Sequence, residues 1–217
     1  MPSSAPQNRW QRRPTARPEE ILNAALAEFI ERGYAATKLD DIARRANISK
    51  GTLYLYFSNK ESLFKQAVLS QIGPLIDVAE LCAQSHQDSP LILLKQLYAD
   101  WARILLDPTL GGLCKLMIAE SDNFPDTAKF YVDEVVVRSR RVLHGVIERA
   151  MKAGELRVMP AELVVRELVT PILFMSLWRH SLAPFDPQHI PDADYLDTHW
   201  NIVMRGLSVN LSHDSLR

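Results

Sequence analysis

Cysteine is scarce. The 217 residues contain two, Cys82 and Cys114, with no CxxC pair and no Cys/His cluster. That argues against a disulfide framework or a structural zinc site, makes buried free thiols the plainer expectation, and leaves a reducing cytoplasm as the expected setting. No apolar run approaches the roughly 18–20 residues that span a bilayer, so no membrane partner is expected. The basic opening "MPSSAPQNRWQRRPTARPEE" is not followed by the apolar stretch of a secretory signal. Strand patterns are nearly absent, with few period-2 stretches and no Asn-Gly or Asp-Gly turn. Catalytic signatures are missing too. His86, His144, His180, His189, His199 and His213 never form HxxxH or HExxH, and there is no GxSxG, Walker-type or GxGxxG loop. No enzyme activity, metal or cofactor is expected.

What the sequence does contain is helical periodicity almost throughout, which gives an all-α fold. Residues 1–17, rich in Pro, Ser and Arg, read as a basic arm that stays disordered until it meets a partner. Pro18-Glu19-Glu20 suits a first helical turn. Ile21, Leu22, Ala25, Leu26 and Phe29 then form an apolar stripe, and Gly33 stops the helix. Thr37, with Asp40 three residues on, is expected to cap a short second helix. Ser49 is expected to cap a third, "KGTLYLYF", and Ser58 or Asn59 a long fourth. Residues 18–65 thus make a helix-turn-helix unit. Leu39, Ile42, Ala43, Ala46, Ile48, Leu53 and Phe57 supply its small core. Residues 66–217 form a larger helical domain, with helical segments expected at 58–83, 90–106, 110–121, 125–153, 160–183 and 193–212. Pro90, Pro108, Pro125 and Pro160 lie near helix starts, and Gly73-Pro74 is expected to kink or break the first of these segments.

Charge is unevenly divided. Residues 1–65 hold 11 Lys/Arg against 7 Asp/Glu, and the remainder 14 against 19. A basic front and an acidic back suit a chain that meets a polyanion at one end.

Two readings compete for 37–60: a packed hairpin with half-buried tyrosines and solvated lysines, or a helix that reads DNA. On a helical wheel Leu53 and Phe57 share the inward face, which leaves Lys50, Gly51, Thr52, Tyr54, Leu55 and Tyr56 on faces the core does not need. Glycine inside so short a helix costs about 1 kcal/mol relative to alanine. The loss makes sense if a side chain there would obstruct close approach to DNA. Tyrosine hydroxyls and helix N-termini can donate to phosphate oxygens.

With Gly33-Tyr34, Thr37, Asp41-Ile42-Ala43, "SKGTLYLYF" and "KESL" at these spacings, residues 33–64 resemble the DNA-binding domain of the TetR family of bacterial repressors. The likeness runs back through "EEILNAALAEFIERGY", covering about the first 65 residues. Lys38 stands where the family often has Ser or Thr, and Asn47 replaces a common turn glycine. The resemblance implies that the third helix enters the major groove. Lys50, Gly51, Thr52 and Tyr54 would then face base edges and nearby backbone, while Thr37, Lys38, Ser49, Tyr56 and Lys60 hold phosphates. Arg44 and Arg45 are either backbone contacts or a solvated helix face. Arg9, Arg12, Arg13 and Arg17 of the arm either follow phosphates, reach a minor groove, or serve solubility.

The resemblance also implies that the larger domain dimerises and often holds a small-molecule pocket. Residues 130–156 are more loosely similar to the C-terminal domains of AefR-like members. Leu163, Val164, Leu168, Ile172, Met175 and Trp178, with Trp200, Ile202, Val203, Leu207 and Leu211, exceed one buried face. They make the last two long helices candidates for a homodimer contact. Such a dimer suits a palindromic operator. Trp101, Leu105, Met117, Phe130, Phe174 and Trp178 either line a cavity for a small hydrophobic effector or simply pack the core. The expected function is a DNA-binding regulator, a repressor released by such an effector through the long fourth helix. The alternative is a ligand-independent regulator or architectural protein.

Overall fold

The computed structural model describes residues 18–188 and 190–209; within them every regular element is helical. No helix among the described residues is long and apolar enough to cross a membrane. Arg9, Arg12, Arg13, Arg17 and Leu211 lie outside the described residues.

Helix α1 (Pro18–Arg32) carries Glu19 and Glu20 in its first turn and Arg32 in its last, matching the helix dipole at both ends. It stops at Gly33, whose φ of +85° lets its N–H reach the Phe29 carbonyl. Helices α2 (Leu39–Arg45) and α3 (Lys50–Tyr56) flank a turn in which Asn47 takes φ +56°, the left-handed conformation its short amide tolerates. Ser49 caps α3, its Oγ accepting from the Thr52 N–H at 3.0 Å. Asn59, not Ser58, caps α4 (Lys60–Ser85). That helix runs unbroken through Gly73-Pro74. Pro74 faces outward, and buried Ile72 and Ile76 on either side hold the helix on course.

Helices α5 (Pro90–Leu106), α6 (Pro108–Glu120) and α7 (Pro125–Tyr131) each begin at proline. Asp107 accepts from the N–H groups of Thr109 and Leu110, so α6 starts two residues before the expected 110. The segment expected as one helix over 125–153 is continuous but contains a π-helical stretch, Val132–Val137, before α8 (Arg138–Lys152). Such wide turns gather at functional sites. Helix α9 (Ala161–Arg179) and α10 (Asp192–Leu207) complete the chain, with a short 3₁₀ turn at Ala183–Phe185 between them.

One core joins α1–α4 to α6 and α7. Phe29, Tyr34 and Phe64 interlock with ring centroids 5.1–5.4 Å apart, and Phe124, from the α6–α7 connection, packs edge-on to Tyr34 at 4.5 Å. Packing is thus continuous across residue 65. A second core forms where α5, α8, α9 and α10 meet, centred on Leu94, Val146, Ile147, Val165 and Leu168.

Pro171, in mid-α9, cannot donate to the Glu167 carbonyl. His199 of α10 takes that carbonyl with Nε2 at 3.1 Å, while its Nδ1 lies 2.7 Å from the Tyr98 hydroxyl of α5. A carbonyl only accepts, so the proton sits on Nε2 and Nδ1 accepts from Tyr98. Burial pushes the Tyr98 phenol up to about 12 and lowers the His199 pKa. His180 is lowered too, by burial first and then by Arg179 and Lys115. Both histidines are easier to protonate once unfolded. The stability they lend is therefore fully present above about pH 6.5 and is lost as pH falls towards their folded values. Melting temperature is expected to fall between about pH 7.5 and 5.5, less steeply in His199→Asn. An equal slope in both proteins would remove His199 from this role.

Candidate nucleic-acid interface

The α2–α3 unit presents one outer face. Ile42, Ala43, Leu53 and Phe57 point inward, as their spacing required. Lys38, Ser49, Lys50, Gly51, Tyr54 and Tyr56 lie exposed, and Thr52 is half-buried. Tyr54 and Tyr56 show 47% and 39% of their surface, far more than ring packing needs. Leu55, at 84%, is bare between them. A Cβ on Gly51 would meet only the Ser49 Oγ, at 3.7 Å, so nothing inside the protein demands a glycine there.

The face is partly prearranged. Ser49 Oγ and Thr52 Oγ1 are 2.8 Å apart. Lys50 Nζ pairs with Asp40 at 2.7 Å, which raises the lysine's pKa and draws the start of α3 towards that of α2. Both side chains remain more than half exposed, so the pair is weak enough to exchange partners. The two arginines of α2 diverge. Arg44 is mostly exposed and touches Asp41 at 3.0 Å. Arg45 is anchored to α1 by Glu31, at 2.6 Å and 2.7 Å, and by Glu28 at 3.3 Å, which raises its pKa. Arg45 ties helices together, whereas the ion pair of Arg44 stays within α2.

Two expected phosphate ligands occupy other positions. Thr37, only 2% exposed, does not cap α2. Its hydroxyl donates to the carbonyls of Gly33 at 2.7 Å and Glu28 at 3.1 Å, and Lys38 takes the N-cap position without a side-chain bond. Lys60 turns back under the α1–α2 loop, where its Nζ donates to the carbonyls of Tyr34, Ala35 and Thr37 at 2.9–3.2 Å and sits 4.7 Å from the Tyr34 ring centroid. Burial lowers its pKa. Both residues fix the loop that carries Lys38. We therefore expect Lys60→Met to cost roughly 1.5–3 kcal/mol of stability, the range for bonds to a charged group. DNA affinity should fall on every sequence alike, with the salt dependence unchanged. A slope shallower by about 0.9 in log K against log salt would instead make Lys60 a phosphate contact.

Glu120, which nothing in the spacing marked out, links this loop to the larger domain. Its Oε1 accepts the Ala35 N–H at 3.2 Å. It sits at the end of α6, and α6 lines a cavity.

That cavity, of about 400 Å³, lies between α6, the π-helical stretch, α8 and α9, and a second of about 430 Å³ lies between α4, α5 and the π stretch. They share Trp101, Leu105, Tyr131, Val135 and Ser139 as a common wall. Of the expected pocket residues, Trp101 and Leu105 line both cavities and Met117 lines the first. Phe130 does not: it lies in a charged surface crevice with the Lys65 Nζ 5.4 Å from its ring centroid. Phe174 and Trp178 pack against each other, their rings tilted by 36°, on the exposed side of α9, since Ile172 and Ser176 take its inward positions. Among the expected dimer residues, Val164, Leu168, Ile172, Trp200 and Leu207 are buried in the second core, while Leu163, Trp178 and Ile202 remain exposed. No cluster of metal-binding side chains occurs among the described residues.

Comparison with known proteins finds likeness in sequence and in fold. The family model "Bacterial regulatory proteins, tetR family" matches residues 21–67, and "AefR-like transcriptional repressor, C-terminal domain" matches 93–193. The HTH-type transcriptional regulator YhgD of Bacillus subtilis (strain 168) is 28% identical over 197 residues, covering 88% of this chain and 96% of its own. The fatty acid metabolism regulator protein of the same organism is 24% identical over 138 residues, covering 64% of this chain and 70% of its own. Among solved structures, the transcriptional regulator FadR from Bacillus subtilis in complex with stearoyl-CoA superposes with a TM-score of 0.71 at 19% identity, covering 88% of this chain and 100% of that one. At that identity the likeness concerns the fold.

Proposed function

Because the chain belongs to the TetR family of DNA-binding transcriptional regulators, which are not enzymes, we propose that it is a sequence-specific repressor released by a small apolar ligand held in the α4–α9 region. The observation that carries the ligand half is the pair of contiguous cavities, each within the roughly 300–1,000 Å³ range of small-molecule sites. A ligand-independent architectural protein has no use for that space. The FadR neighbour, solved with stearoyl-CoA, lends support: the same fold accommodates a molecule with a long apolar chain.

In this mechanism Lys50, Gly51, Thr52 and Tyr54 meet base edges and adjoining backbone, and Lys38, Arg44, Ser49 and Tyr56 hold phosphates. Two copies pair through α9 and α10, using Leu163, Phe174, Trp178 and Ile202, so that two α3 helices address the halves of a palindromic operator. Helix α6 is the coupling element alongside α4. It lines the cavity at Met117 and ends at Glu120 on the Ala35 N–H, next to the Phe124–Tyr34 contact. A ligand that displaces α6 shifts the loop held by Lys60 and so the spacing of the two reading heads.

The test is a gel-shift titration on the DNA upstream of the protein's own gene, at low salt, with and without a panel of apolar compounds. Retardation that some compounds reverse is expected. No retardation would overturn the DNA half for that site, and retardation insensitive to every compound would favour the ligand-independent alternative.

A further inference from the structure

The cavity against α6 has one charged group in its lining, and that group is a cation. Its walls are apolar apart from a few polar side chains, and no carboxylate is among them. Most of the polar groups are already used. The Ser121 hydroxyl donates to the Ile118 carbonyl, and Tyr131 and Cys114 bond each other while burial raises both of their pKa values. Ser139 and Arg140 remain. Among the described residues neither side chain has a hydrogen-bond or ion-pair partner, and both are half-buried. The contrast with the same helix is sharp: Arg138, two residues earlier, is held by Asp77 at 2.7 Å and Glu80 at 2.9 Å.

The neighbouring cavity differs. Its lining includes Asp100, Arg103 and Asp107, but Arg103 pairs with Asp100 and Asp107 caps α6, so its charged groups are engaged and most of the remaining wall is apolar. Across the shared wall of Trp101, Tyr131 and Val135 one finds an unpaired cation on one side and an apolar recess on the other. A half-buried guanidinium without a counter-charge gains from a planar or tetrahedral anion that accepts from its fork.

Building on the ligand reading above, we propose that the effector is an anionic amphiphile. Its carboxylate or phosphate head is bound by Arg140 with help from the Ser139 hydroxyl, and its unbranched apolar chain passes Met117 and Tyr131 towards the recess beside Trp101. Arg140 thereby sets the ligand's head-group charge, and the shared wall selects for a narrow chain.

The experiment is isothermal titration of the full chain with dodecanoate, dodecyl phosphate and dodecanol, each below its micellar concentration, repeated on Arg140→Gln and Arg140→Lys. Both anions should bind the wild type roughly ten- to hundredfold more tightly than the alcohol, the increment of a charge-assisted hydrogen bond. Arg140→Gln should erase that preference by weakening only the anions, and Arg140→Lys should keep part of it. Unchanged dodecanol affinity in Arg140→Gln shows that the cavity is intact. The stronger of the two anions identifies the head group. Equal binding of dodecanol and dodecanoate to the wild type, or an anion preference that survives Arg140→Gln, overturns the proposal while leaving an apolar-ligand site in place. Failure of all three probes to bind would overturn both.

Discussion

Replacing Gly111 by alanine is expected to lower the melting temperature by roughly 6–12 °C, the shift for about 3 kcal/mol in a chain of this size. Gly111 lies in the first turn of α6, against α9. A methyl group there would overlap the Leu105 carbonyl oxygen and the His180 Nε2 and come within 2.8 Å of the Ser176 hydroxyl. The closest of these cannot easily withdraw, for the Leu105 carbonyl is backbone and accepts from Ser176, which is fully buried. The next residue, Gly112, meets the opposite neighbour, for its Cβ would lie 2.9 Å from Ile30 of α1. Adjacent glycines thus let α6 pass tightly between the head and α9. Gly145, in α8, is the control. Nothing lies within 4 Å of a Cβ there, so Gly145→Ala should gain up to about 1 kcal/mol from helix propensity. Calorimetry on the two variants checks this. A Gly111→Ala protein melting within 2 °C of wild type would mean that α6 and α9 do not meet as described.

Gly51→Ala should do the reverse, leaving the fold intact and crippling DNA binding. The added methyl meets only the Ser49 hydroxyl at ordinary contact distance, and alanine is the better helix former, so stability is expected to hold or rise by up to about 1 kcal/mol. Operator affinity should nevertheless fall at least about tenfold, because the methyl projects from the α3 face towards the groove and forces the helix out of contact with base edges. Melting curves and anisotropy titrations on one preparation separate the two effects. Unchanged affinity would show that α3 does not approach DNA at Gly51, and a destabilised variant would show that the glycine serves the fold.

The helical fold and the exposed α2–α3 face that we propose reads DNA were legible because local signals agreed. Leu53 and Phe57 were placed inward by spacing alone, Ser49 capped its helix, and Asn47 adopted the left-handed turn. What escaped depended on contacts distant in sequence. Lys60 and Thr37 carry donors that suit phosphate, but the loop carbonyls they satisfy belong to residues up to 26 positions away, a geometry no local pattern encodes. Arg45 diverged from its neighbour Arg44 because Glu28 and Glu31 happen to lie opposite it on α1. Phe174 and Trp178 read equally well as cavity lining or outer surface, because α9 is apolar on more than one side and only tertiary packing chose Ile172 and Ser176 for the interior. The π stretch at Val132–Val137 left no mark in an otherwise regular helical pattern.

The most direct test of sequence-specific reading by a paired α3 is selection of bound duplexes from a random-sequence DNA library, followed by sequencing. An inverted repeat is predicted, with half-site centres about one helical turn, or a whole multiple of it, apart. Retained duplexes that share no sequence, or no retention at low salt, would contradict it.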